Sequence, residues 1–131
     1  MSVDRIRLGD DRGASAVEFA LLAPVLLMFL FGVFQLGWGL HCGSSVRWAL
    51  ENNARTLLLA PTTTQSDLQT AVRANLADVP NANSVTVTLV TDTSGAAKVL
   101  RASAAYAYPL SIPFLPTYNL TFNDSVAVPA P

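Results

Sequence analysis

The chain has 131 residues and a net charge of −1, and only 13% of its side chains are charged, against about 25% in an ordinary soluble domain. Its basic residues (Arg5, Arg7, Arg12, Arg47, Arg55, Arg73, Lys98 and Arg101) are scattered, so no stripe exists to follow a phosphate backbone, and nucleic acid is not expected as a partner. A single cysteine, Cys42, excludes a disulfide framework within the chain.

Residues 1–13 form a short polar leader, MSVDRIRLGDDRG, with three arginines and three aspartates before Gly13. Directly after it the chain turns apolar. Between Phe19 and Leu40 the only polar side chain is Gln35, and no charge appears from Glu18 to Arg47. Crossing the hydrocarbon core of a bilayer takes about 20 apolar residues, so 19–40 is expected to span a membrane. Trp38 and Trp48 stand towards its far end, where amphipathic rings favour the interface. The run exceeds the ~7–15 apolar residues of a cleaved secretory signal, and GWGLHCGSS offers no good small-x-small site. His41 before Cys42 also argues against a lipoprotein signal. Arginines on both sides lean only slightly towards an N-terminus in the cytoplasm.

Pro24 removes a backbone donor and leaves the carbonyl of Ala20 without its helical partner, so a kink is expected there. Gly39 and Gly43 make a G-x-x-x-G pair, and Ala16, Ala20 and Ala23 a small-residue stripe; both surfaces permit close helix packing. The helix is expected to continue over 14–60, with Val46, Leu50 and Leu57 on an apolar face, and to stop before Pro61. At ~1.5 Å per residue it is about 70 Å long, so its second half would stand outside the membrane and support a head formed by 61–131.

In that head, PTTTQSDLQTAVRANLADVP reads as a loop and a short second helix. Thr64 or Ser66 caps it, Asp67 lies in its first turn, and Leu68, Val72 and Leu76 form its apolar stripe. The period then changes to two. SVTVTLVT is a strand with Val85, Val87 and Leu89 on one side, KVLRASAAYAY a second ending before Pro109, and LTFNDSVAVP a third. The fold class is therefore α+β, with a long N-terminal helix, a short second helix and a small antiparallel sheet of about three strands. The loop PLSIPFLPTYN, with Phe114, Leu115 and Tyr118, is read as packing over the sheet edge, with a partner contact as the alternative.

No catalytic or metal motif stands out. His41 and Cys42 are adjacent and diverge by about 100° on a helix, which makes them a poor metal pair. Asp67, Asp78, Asp92 and Asp124 are read as cap and turn residues. No cofactor, metal, small-molecule substrate or enzymatic activity is expected.

Glu18 at the edge of the apolar run needs a reason, since a carboxylate near lipid costs up to ~2.5–3.5 kcal/mol at the helix centre and less at the edge. Glycine followed at the fifth position by glutamate, then Phe19 and a long apolar helix, resembles the processing site of type IV prepilins. Arg12-Gly13, Val17-Glu18-Phe19-Ala20, the Ala23-Pro24 step and the run to Gly32 closely resemble the N-terminal signature of TadE-like proteins, minor pilins or pseudopilins of the tight-adherence (Flp) pilus. That resemblance reaches from Arg12 to about Ala54.

It implies a prepilin peptidase that cuts between Gly13 and Ala14, with Glu18 and Phe19 as recognition and assembly residues. The chain would then sit in the bacterial inner membrane as a single-pass precursor, N-terminus in the cytoplasm and head outside. Its partners would be other pilins or pseudopilins and pilus assembly proteins. The chemistry agrees: Gly13 lets the scissile backbone lie extended. The freed α-amine of Ala14 shares a helix face with Glu18, four residues on, or a neighbouring subunit's amine takes that place. The alternatives are a pseudopilin of a type II secretion-like machine and a single-pass anchored binding domain.

Overall fold

A computed structural model describes residues 11–60, 62–95 and 98–130, and the side chains from Gly13 on. The polar leader up to residue 10 therefore lies outside the described residues. Helix α1 runs from Asp11 to Ala54 and α2 from Thr56 to Leu59. The long helix is thus almost continuous to the expected end. Its one interruption falls at Arg55, where Thr56 Oγ1 donates to the Asn53 carbonyl at 2.6 Å and Leu58 N–H bonds the Arg55 carbonyl at 3.2 Å. A side-chain hydroxyl competing for the backbone acceptor tightens that turn. The start differs too: Gly13 and Ala14 already lie inside α1.

Helix α3, Gln65–Ala74, begins with a capping box. The Thr64 hydroxyl accepts from Asp67 N–H at 3.3 Å, and Asp67 Oδ2 accepts from Thr64 N–H at 3.0 Å. Two donors left orphaned by helix geometry are thereby satisfied. A short 3₁₀ turn at Ala82–Ser84, entered through Asn81 at φ 55°, leads into the sheet. Strands β1 (Thr86–Asp92), β2 (Val99–Leu110) and β3 (Tyr118–Pro129) lie in the order β1-β2-β3, all antiparallel. The architecture is the α+β arrangement expected, with a three-stranded sheet.

Two boundaries move. Strand β2 runs through Pro109 to Leu110, and β3 begins at Tyr118. Strand β1 pairs with β2 only from Val99 to Ala105, so beyond that point one side of β2 is an edge, where a proline removes no ladder bond from a neighbour. Asp124 lies within β3 opposite Ala104, not in a turn. The free edge of β1 is covered by α3: Leu89 N–H donates to Gln65 Oε1 at 3.2 Å, and Arg73 Nη2 donates to the Val85 carbonyl at 2.8 Å. An edge so occupied is closed to strand addition.

The core joins the second half of α1 to the sheet and α3. Val46, Leu50, Leu57, Leu68, Val72, Leu76, Val85 and Val87 are each at most 2% exposed. Burying a Val or Leu side chain contributes about 1.5–3 kcal/mol, and Ala102, Ala104 and Tyr106 of β2 and Val128 of β3 complete the same core. The helical face from Cys42 to Leu57 is therefore an inseparable part of the head's core.

Candidate functional site

Helix α1 changes character near Leu40. Beyond it, the face carrying Cys42, Val46, Ala49 and Leu50 is buried. Before it, the helix is apolar and largely uncovered: Phe19 is 70% exposed, Leu21 71% and Phe34 74%. It is the one helix among the described residues long and apolar enough to cross a membrane. Exposed apolar surface far beyond the few hundred Å² tolerated on a soluble monomer requires lipid or other helices to cover it.

The sequence-predicted site residues sit at the lower end of this half. Gly13, Ala14, Glu18 and Phe19 are all exposed. A methyl placed on Gly13 would meet nothing within 4 Å. Because α1 begins at Asp11, the bond between Gly13 and Ala14 lies in its first turn. Amide groups there have no intrahelical acceptor, so unwinding the turn into an extended strand breaks few hydrogen bonds. Glu18 follows about one turn later, on the exposed surface of the helix. Pro24 lies inside α1, which continues through it.

The glycine pair serves a different purpose from the one expected. A Cβ on Gly39 would come within 2.9 Å of the Tyr108 ring, and one on Gly43 within 2.6 Å of Phe122. The small residues let the sheet approach the helix, so this face is filled within the chain and is not open to a second helix. His41 and Cys42 diverge, as their spacing requires: His41 is exposed with its ring 5.4 Å from that of Trp38, whereas Cys42 is fully buried. Burial pushes the Cys42 thiol up from its ordinary range. Among the described residues no three His, Cys, Asp or Glu side chains are grouped to hold a metal.

The loop between β2 and β3 lies against α1 rather than over the sheet edge, correcting the expectation. Gln35 Oε1 accepts from the Ser111 backbone N–H at 3.1 Å. A Cβ on Gly32 would meet Ile112 Cδ1 at 3.6 Å, and Phe114 shares a wall with Ala20, Pro24 and Leu27. The one polar side chain of the apolar run thus serves the hairpin. The signal for this in the sequence is the isolation of Gln35 among apolar neighbours.

Residues 13–55 match the family model of TadE-like proteins, the family that the N-terminal signature resembles. The match covers α1 from Gly13 through its buried half and stops before α3 and the sheet. No curated protein matches the chain, and no solved structure does.

Proposed function

We propose that the chain is a minor pilin or pseudopilin of a tight-adherence pilus, made as an inner-membrane precursor and cut after Gly13 by a prepilin peptidase. The observation that carries this reading is the TadE-like match over 13–55, which contains Gly13, Glu18 and the uncovered apolar half of α1. In the precursor, that half lies in the bilayer with the head on the outer side. After cleavage, the Ala14 ammonium and the Glu18 carboxylate neutralise one another, within a subunit or between neighbours, as apolar helices replace lipid around α1. The head's core includes α1 from Cys42 onward, so a pull on the head is transmitted directly to the packing helix.

The role of Glu18 is tested by Glu18→Ala in a host carrying a tight-adherence system. The variant should remain membrane-bound and folded yet be lost from sheared surface fibres, at least tenfold below the parent by immunodetection. Undiminished incorporation would remove Glu18 from assembly.

A further inference from the structure

The β2–β3 hairpin descends beside the apolar half of α1, and its tip ends far below the head. Tyr108 packs at Gly39, Ser111 at Gln35 and Ile112 at Gly32, so each step along the hairpin moves down the helix. Phe114, at the turn, lies beside Ala20, Pro24 and Leu27. Measured from Glu18 at ~1.5 Å per residue, Pro24 stands about 9 Å and Gln35 about 25 Å along the helix. The hydrocarbon core is about 30 Å thick. If 19–40 spans a bilayer, the tip is at hydrocarbon depth.

The hairpin's chemistry suits that depth. No charged residue occurs between Arg101 and Asp124. Below the level of Gln35 the segment reads Ile112-Pro113-Phe114-Leu115-Pro116. A loop among acyl chains must spare its backbone donors. Pro113 and Pro116 have none, Leu115 N–H bonds the Ile112 carbonyl at 3.1 Å, and Ser111 N–H is taken by Gln35. Above this level Trp38 and Tyr108 line a common pocket at the height expected of an interface.

Phe114 itself is held at φ 66° and is 92% exposed. With Pro113 before it and the Ile112–Leu115 hydrogen bond across it, it takes the turn position where glycine is preferred. A large apolar ring in a left-handed backbone, uncovered by the chain itself, is a costly choice unless the surroundings reward it.

We propose that residues 111–117 form a lipid-inserted wedge, which enters the bilayer from its outer side beside the spanning helix, reaches past the midplane and holds the head against the membrane surface. The wedge rests on the spanning role of 19–40, and the test separates the two.

An environment-sensitive fluorophore would be attached, in a Cys42→Ala background, to Phe114→Cys, to Phe29→Cys in the span and to Ser94→Cys at the far end of the sheet. Each full-length protein is reconstituted in phosphatidylcholine–phosphatidylglycerol vesicles with nitroxide-labelled acyl chains, and iodide is used as the aqueous quencher. An inserted wedge should give quenching by lipid nitroxide at position 114 within about twofold of that at 29, with position 94 quenched by iodide alone. Iodide quenching at 114 equal to that at 94, with 29 in lipid, would overturn the wedge and leave the span intact. Exposure of 29 to iodide would overturn both. Protection of 114 from both quenchers, released by diluting the protein in lipid, would assign the site to a second copy and overturn the wedge. As a second variant, Phe114→Asp with the probe at Leu115→Cys should reduce lipid quenching at least threefold; unchanged quenching would contradict the role of Phe114.

Discussion

Gln35 and Ser111, 76 positions apart in sequence, are joined by a 3.1 Å hydrogen bond from the Ser111 backbone to the Gln35 side-chain oxygen. This polar contact ties the hairpin to the apolar half of α1. Leaving a donor unpaired in apolar surroundings costs about 1–3 kcal/mol. Gln35→Met, similar in shape but without a comparable acceptor, should speed hydrogen exchange of the Ser111 amide at least fivefold in nanodiscs. Gln35→Glu, which retains an oxygen acceptor, should stay near the parent rate. Equal rates in parent and Gln35→Met would show that the contact does not hold the loop.

Two glycines of the same helix should respond oppositely to the same change. At Gly43 a methyl would stand 2.6 Å from the Phe122 ring, which is stacked near Tyr106, whereas at Gly37 it would meet nothing within 4 Å. Gly43→Ala should lower the stability of the head by about 1–3 kcal/mol through overpacking. Gly37→Ala should be neutral or stabilising by up to about 1 kcal/mol, because alanine favours the helix. Thermal unfolding in detergent, followed by circular dichroism, compares the two.

The sensitivity of the head to alkali should run through Tyr106. Its hydroxyl donates to the Pro80 carbonyl at 2.7 Å, and burial is the main cause that pushes the phenol up to about 12 from 10.0. A phenol neutral in the fold but readily ionised in the unfolded chain contributes stability fully present below pH 10 and lost as pH rises towards 12. Tyr106→Phe should be less stable at neutral pH, by about 1–3 kcal/mol for the unpaired carbonyl. Its stability should also fall less steeply between pH 10 and 12. Parallel pH–stability curves for parent and variant would contradict this assignment.

At the acid end, the capping box of α3 supplies a second titration. Hydrogen bonds from the Thr64 hydroxyl and backbone hold the Asp67 carboxyl below its ordinary value. A lowered carboxylate pKa gives stability that is present above the ordinary value near 3.8 and disappears as pH falls through the folded value. Thr64→Ala should cost about 1 kcal/mol at neutral pH through the lost cap. The difference between parent and variant should narrow below about pH 4, as measured by urea unfolding at several pH values.

Much of this architecture was legible because it rests on local rules. The apolar run of 19–40, the Thr64–Asp67 cap and the alternation of Val85 and Val87 each declare themselves within a few residues. The hairpin's true ends did not, since the strand passes Pro109 only because β1 has already stopped. Gly39 and Gly43 read as a helix-pairing motif because the Tyr108 and Phe122 rings that occupy them lie far along the chain. Gln35 and Phe114 were opaque for the same reason: their meaning depends on where the hairpin descends, which no local pattern encodes. Gly13, Ala14 and Glu18 stand out through their spacing, and the fold adds that Gly13 and Ala14 lie in the accessible first turn of α1, with Glu18 exposed about one turn further on.

The proposed pilin-type role requires a cut between Gly13 and Ala14. Its most direct test is the mature N-terminus, determined by intact mass and terminal sequencing of the full chain expressed with and without a matching active prepilin peptidase. Cleavage there should give a peptidase-dependent N-terminus at Ala14 that is abolished in Gly13→Trp. An uncut Met1 form in the presence of the active peptidase would contradict it.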